Sequence, residues 1–229
     1  MLQAAVTRPP ALALDLGCGP GNTTRLVHDV SAAVRTIGLD RSPAFVAAAR
    51  ERAARYPGLE FHEHDVTVVP FPLTGADLIY ARLVLAHLPD VPTTVGRWTT
   101  QLGRHGLLVL DEVERIDTDN EVFLDYLRVV TRMIASRGAD MYAGRRLADV
   151  TPPDHMTVTR NTVYHLPVPT AAVAEMFGLN LSVWRDDPWV TANHASLVRA
   201  LPERLRTLES STRTDEIAWD LRHVVLSPR

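Results

Sequence analysis

Short apolar runs alternate with helical patterns through the first two-thirds of the chain. ALALDL (11–16) reads as a buried strand. Over residues 22–34, NTTRLVHDVSAAV sets Leu26, Val30 and Val34 on one helix face, with Asn22 or Thr23 placed to cap it. RTIGLD (35–40) is a second strand, and Ser42-Pro43 then opens a helix over the alanine-rich stretch 44–55. LEFHEHD (59–65), ADLIYARLVL after Gly75, and GLLVLDEV (106–113) supply a third, fourth and fifth strand. Between the last two, Asp90 caps a helix whose apolar positions are Val91, Val95, Trp98 and Leu102, with Gly103 at its end. Strands alternating with helices over short links predict an α/β fold, a mostly parallel sheet with helices on both faces.

After Val113 the pattern changes. Residues 119–137 carry a long amphipathic helix through Val122, Leu124, Tyr126, Leu127, Val130 and Ile134, and a short one follows at Arg145–Val150. Thr151-Pro152-Pro153 breaks the chain. MTVTRNTVYHL (156–166) alternates as a strand, 170–185 and 193–210 read as helices, and EIAWDLRHVVLSP (216–228) closes the chain as a strand. With no internal repeat and no long linker, residues 1–229 form one expected domain. Its core spans 11–115, helical caps occupy 116–150 and 166–215, and the final strands are 156–166 and 216–228.

The chain has 229 residues, 46% of them hydrophobic, enough for one sizeable core. Its net charge of −3 supplies no general basic field, which argues against nucleic acid and membrane surfaces as partners. All 24 basic residues are arginine, so lysine Schiff-base chemistry and a P-loop lysine are both excluded. The single cysteine, Cys18, rules out an intrachain disulfide and a cysteine-based zinc cluster, and no metal site is read. MLQAAVTRPP lacks the pattern of a secretory signal, and no apolar run reaches the ~18 residues a bilayer span needs, so a cytoplasmic location is the default expectation.

The densest chemical signal is LALDLGCGPG, with Gly17, Gly19 and Gly21 alternating just after an apolar strand. A glycine loop between a first strand and a first helix lies where open α/β sheets bind ligands. A dinucleotide fingerprint would need its third glycine at position 22, which is Asn22, and Asp15 would repel a pyrophosphate. A carboxylate there suits a ligand that carries a cation. Asp40 closes the second strand in IGLDRS, and Asp65 closes the third in HEHDV.

Together, LDLGCGPGNTTRL, Asp40, Asp65, DLIYARLVLAHLPD and LGRHGLLVL resemble the successive motifs of the class I S-adenosylmethionine-dependent methyltransferases, in their type 11/12-like small-molecule branch. The resemblance covers 11–115 well and the last third by topology alone. It implies a Rossmann-like fold with a seven-stranded, mostly parallel sheet whose last strand is antiparallel, and S-adenosyl-L-methionine as cofactor. It also implies the cofactor residues: Asp15 toward the ligand's ammonium, Gly17, Cys18, Gly19 and Gly21 beneath it, Asp40 with Arg41 at the ribose, Asp65 and Val66 at the adenine, and Ala81 under the methionine. Relatives carry one or two helices before the first strand that cover the cofactor, whereas about ten residues precede it here. The cover is then expected from 166–215 or from residues ahead of this start.

The implied activity is an enzyme's: methyl transfer to a small-molecule O or N nucleophile. A non-methylating binder of the same cofactor, such as a cyclisation catalyst or partner subunit, remains a second reading, and a nicotinamide oxidoreductase a third. Acceptor-side candidates are His87 in LAHLPD as a base, with Tyr80 and Arg82 flanking Ala81 so that either can line the pocket. Asp111 and Glu112 are expected to end the fifth strand and face the acceptor, while His165, Trp184 and Trp189 belong to the cap. A packing role competes with a functional one at each of these positions. Pairing of two copies as a homodimer stays open.

Overall fold

A computed structural model describes residues 2–211 and 215–229; the expected cap span 166–215 therefore includes 212–214, which lie outside the described residues. Seven strands form one sheet in the order β3-β2-β1-β4-β5-β7-β6. They are β1 (Leu12–Leu16), β2 (Arg35–Asp40), β3 (Leu59–Glu63), β4 (Ala76–Arg82), β5 (Leu102–Asp117), β6 (Met156–Pro169) and β7 (Glu216–Pro228). β1 pairs in parallel with β2 and β4, as do β2 with β3 and β4 with β5. β7 inserts antiparallel between β5 and β6. The strand order reverses between β1 and β4, so the carboxyl ends of these strands frame a crevice there.

One face of the sheet is covered by α1 (Leu2–Ala5), α2 (Asn22–Ser31) and α3 (Pro43–Ala53), the other by α4 (Val91–Thr99) and α6 (Ala143–Leu147). Strand alternation divides the side chains accordingly. Leu14, Leu16, Ile37 and Leu39 pack with Trp98 of α4 and Leu147 of α6. Ala13, Leu78 and Val109 pack with Leu2 of α1 and Val27 of α2. Ser42 caps α3 by accepting from the Phe45 amide, and Asp90 caps α4 by accepting from the Thr93 amide.

A second core stands beyond the sheet's upper edge. Here α5 (Glu121–Ser136), α7 (Thr170–Trp184) and α8 (Pro188–Glu209) bury Phe123, Phe177, Leu181 and Leu201 against Ile116 and Trp219 of the extended β5 and β7. Phe177 stacks on Tyr126 at 3.9 Å and meets Phe123 edge-on at 5.4 Å. The two long strands β5 and β7 thus run through both cores.

Several expected boundaries shift for identifiable reasons. The buried face of α2 is Thr24, Val27 and Ser31, while Leu26 (47% exposed) and Val34 (69%) face outward, so the apolar spacing there marks a different side of the helix. Gly21 rather than Asn22 or Thr23 occupies its N-cap position. The fourth strand stops at Arg82 because Leu83 turns into the left-handed region at φ 59°, and the apolar run continues as a 3-10 turn, Leu85–His87. Gly103 lies inside β5 rather than ending a helix; a Cβ there would stand 2.9 Å from the Gly75 carbonyl. β5 reaches Asp117, which leaves Asp111 and Glu112 in mid-strand instead of at its end. The helix expected at 145–150 is α6, two residues earlier. α8 starts at Pro188, where Asp187 accepts from the Trp189 and Val190 amides; a kink at His194 accounts for a helical signal that begins near 193. His165 lies on β6, paired with Asp220 at 2.7 Å.

Truncating the centre of the second core tests its weight. Phe177→Ala removes a ring that is 1% exposed and is expected to lower the unfolding free energy by about 3–5 kcal/mol in urea titrations.

Candidate functional site

The loop after β1 passes Gly17, Gly19 and Gly21 at φ 66°, 51° and 87°, values that residues with a Cβ rarely adopt. The amides of Gly17 and Cys18 both donate to the Leu39 carbonyl, at 2.8 and 3.0 Å. The Gly19 amide donates to Asp40 Oδ2 at 2.9 Å, and the Ser42 amide to Asp40 Oδ1 at 2.8 Å. Each carboxylate oxygen of Asp40 thus keeps a lone pair for a ligand while its orientation is fixed. A Cβ on Gly17 would stand 2.6 Å from Val84 Cγ2, whereas one on Gly19 would meet only open space. The loop is therefore backed by protein at its start and open at Gly19.

Asp15, 1% exposed, lies beneath this loop. Thr24 Oγ1 donates to its Oδ2 at 2.7 Å, and its Oδ1 has no partner among the described residues. Burial pushes its carboxyl up to about 7; the Asp40 charge adds to this, while Thr24 and Arg82 oppose it. A buried oxygen without a donor is a vacancy that a ligand's ammonium can fill, directly or through water.

At the carboxyl ends of β2 and β3, a cavity of about 370 Å³ is lined by Arg41, Glu63, His64, Asp65 and Val68. Asp65 lies two residues beyond β3. The amide and hydroxyl of Thr67 donate to its Oδ1 at 2.9 and 2.7 Å and hold its carboxyl below the usual range. Val66 is buried, with its carbonyl accepting from Trp98 Nε1 at 2.8 Å. A larger cavity of about 680 Å³ opens on the α2 side of the loop, where Pro20, Gly21, Asn22, Thr23 and Arg82 meet residues of α2 and α3.

Some expected residues stand differently. The Cys18 side chain packs among Val46, Ala49 and Phe61, and burial pushes its thiol up, so only its backbone is available to a ligand. Ala81 is fully buried with its methyl in the core under α4 and α6, leaving its main chain alone for contact. Tyr80 does not line an acceptor crevice: it is 4% exposed, and its hydroxyl donates to Asp111 Oδ2. Asp111 Oδ1 in turn meets His223 Nδ1 at 2.6 Å, which makes a buried polar array under α1. These two side chains sit on facing strands, so sequence spacing gave no sign that they meet.

The turn after β4 is fastened from β5. The Leu83 amide donates to the Asp111 carbonyl at 2.9 Å. Glu112, fully buried, accepts from the amides of Val84 and Leu85, each at 2.8 Å. Burial pushes its carboxyl up to about 7 against these amides. The turn presents His87, whose imidazole is held below its ordinary value by its protein surroundings and by the charges of Arg41 and Arg137. Arg137, at the end of α5, also pairs with Asp187 at the start of α8. The charges of Arg41 and Arg137, which come from distant stretches of the chain, thus both act on His87. The sequence marked Arg41 and His87 but gave no sign of Arg137.

Among the described residues no group of three or more His, Cys, Asp or Glu side chains could hold a metal, and no helix is long and apolar enough to cross a membrane.

Residues 14–110 match the family described as a methyltransferase domain. The chain is 32% identical over 183 residues to a trans-aconitate 2-methyltransferase of Escherichia coli, covering 76% of this chain and 68% of that one. It is 36% identical over 136 residues to a trans-aconitate 2-methyltransferase of Methylobacterium radiotolerans, covering 59% of this chain and 51%, about half, of the relative. In structure it is similar to coclaurine N-methyltransferase bound to N-methylheliamine and SAH, with a TM-score of 0.59 at 18% identity over 98% of this chain and 69% of that one.

Glu112 provides a test of how the turn is held. Glu112→Ala leaves two buried amides without an acceptor and is expected to cost about 2–4 kcal/mol in urea unfolding at pH 8, whereas Glu112→Gln keeps an acceptor and stays within about 1 kcal/mol of the parent.

Proposed function

The chain belongs to the class I S-adenosylmethionine-dependent methyltransferases, and from that premise we propose that it methylates a carboxylate oxygen of a small polyanionic acid. The observation that carries the acceptor class is that two arginine charges, those of Arg41 and Arg137, both act on His87 at the turn after β4. Relatives at 31–36% identity named trans-aconitate 2-methyltransferase point to the same chemistry.

The residues present fit the cofactor. Asp40, oriented by two amides, would accept the ribose hydroxyls, a charge-assisted arrangement stronger than a neutral pair. Arg41 flanks it, and Asp65 and Val66 would take the adenine edge beside the smaller cavity. Asp15 Oδ1 would answer the ammonium, and Gly17 through Gly21 would pass beneath the amino-acid arm with the Ala81 backbone. When bound, the cofactor supplies an electrophilic methyl on a sulfonium.

The remaining work falls to the chain. A carboxylate acceptor is already ionised at neutral pH, so no residue of the chain would have to remove a proton from it for its oxygen to take the methyl that the sulfonium would supply. His87 is then required as a neighbour rather than as a base. Arg41 and Arg137 would hold the acid in line with the departing sulfur, and positioning of this kind accounts for much of the rate. Leu83, Met141 and Tyr142, packed against the second core, would keep water away.

Three measurements check this reading. Incubation with S-adenosylmethionine and trans-aconitate, citrate or simple dicarboxylates should yield a methyl ester with equimolar S-adenosylhomocysteine; binding of the cofactor without ester on any of these acids would refute the acceptor class. Asp40→Ala should weaken S-adenosylhomocysteine binding in calorimetry by about 1.5–3 kcal/mol, roughly 10- to 150-fold. Because the Asp15 carboxyl sits at about 7 in the free protein and an ammonium lowers it, binding releases a proton. Affinity for S-adenosylhomocysteine should therefore rise about tenfold from pH 6 to pH 7.5, and Asp15→Asn should flatten the profile.

A further inference from the structure

Arg137 owes its place to the way α5 ends. Gly138 follows it at φ 75°, and the chain closes the helix there: the Gly138 amide donates to the Ala135 carbonyl and the Ala139 amide to the Ile134 carbonyl. A Cβ on Gly138 would stand 3.7 Å from Pro89 Cβ, so this helix end is seated beside the turn after β4. From there the half-exposed Arg137 guanidinium acts on His87. Its Nη2 donates to Asp187 Oδ2, while Nε and Nη1 make no hydrogen bond to the described residues.

Asp187 is itself fixed. Its Oδ1 caps α8, accepting from the amides of Trp189 at 2.9 Å and Val190 at 3.3 Å, and its own amide donates to the Trp184 carbonyl at 3.0 Å. Val190, in that first turn, is fully buried in the second core. A carboxylate held in this way offers its second oxygen at a set place. An arginine side chain left free samples many rotamers, and ordering it opposes any contact it makes. One fastened by a single nitrogen has lost that freedom before a ligand arrives, and it keeps donors for another carboxylate.

We propose that Asp187 is a positioning residue of the acceptor site: held by the first turn of α8, it aims the Arg137 guanidinium at a carboxylate of the bound acid. The assignment rests on the acceptor being a polyanionic acid that Arg137 holds. It makes the junction of α7 and α8 part of acid recognition, although Asp187 touches no substrate.

Asp187→Asn separates the two duties of this side chain, because asparagine still caps a helix and no longer draws a guanidinium. In steady-state methylation of trans-aconitate, the variant should raise KM for the acid about 5- to 20-fold and keep kcat within about threefold. S-adenosylhomocysteine binding in calorimetry should stay within about twofold of the parent, and thermal melts should coincide. Arg137→Gln should raise the same KM by at least as much, and adding Asp187→Asn to it should change KM by less than about twofold. Unchanged KM in either single variant, or a full effect of Asp187→Asn in the Arg137→Gln background, would overturn the assignment. So would a lowered KM, which would make Asp187 a competitor of the acid for Arg137, or a loss of S-adenosylhomocysteine binding together with a lowered melting temperature. A parent that forms no ester on any of the acids removes the acceptor reading, and this assignment with it. Ester formation by the parent with no change in Asp187→Asn removes this assignment alone.

Discussion

The site depends on how little space remains beside Gly17. Its amide and that of Cys18 share the Leu39 carbonyl on one flank, and on the other Val84 stands where a Cβ would be 2.6 Å from its methyl. The loop is held between the end of β2 and the turn that follows β4. That turn is fixed in its own right, because Glu112 takes the amides of Val84 and Leu85 from below. The loop and the ends of β2 and β4 are thereby set against one another, through main-chain bonds to Leu39 and through the side chains of Val84 and Glu112. The glycine loop and the turn after β4 share one scaffold, so a shift of the Val84 turn would disturb both.

The second core explains how the cap is held to the sheet. Its helices pack on Ile116, Trp219 and Leu221, which belong to the same β5 and β7 that fill the sheet's centre below. The cap is therefore an upward extension of the sheet. Arg137 inherits that rigidity from α5, whose inner face buries Phe123, Tyr126 and Ile134. Asp187 adds a further tie, since one of its oxygens caps α8 while the other meets Arg137.

Much of this was legible in the sequence, because β1, β2 and β4 are short, buried on both faces and, like β3, separated by punctuation that has one meaning. The alternating glycines, Asp40 and Ser42-Pro43 each mark a backbone requirement that is local. Legibility failed where tertiary contacts decide. The run RLVL reads as strand, yet Leu83 adopts φ 59° because the Asp111 carbonyl takes its own amide and the Glu112 carboxylate takes those of Val84 and Leu85, both from another strand. Tyr80 is suited to a pocket by its place on β4, but its hydroxyl is taken by Asp111. Leu26 and Val34 share helical spacing, yet the sheet contacts Val27 instead. Arg137 gave no signal, since its role depends on where a long helix ends in space.

Every cation of this chain other than histidine is a guanidinium. A guanidinium does not lose its proton anywhere in the range where the protein is folded. The positive charge of each arginine is then a constant of the molecule, set by geometry alone, as if it were built into the scaffold. Titration is left to a few other groups: Asp15 and Glu112, both drawn up to about 7, and His87, drawn down. A change of pH near neutrality alters these two buried carboxyls and leaves the arginines as they were.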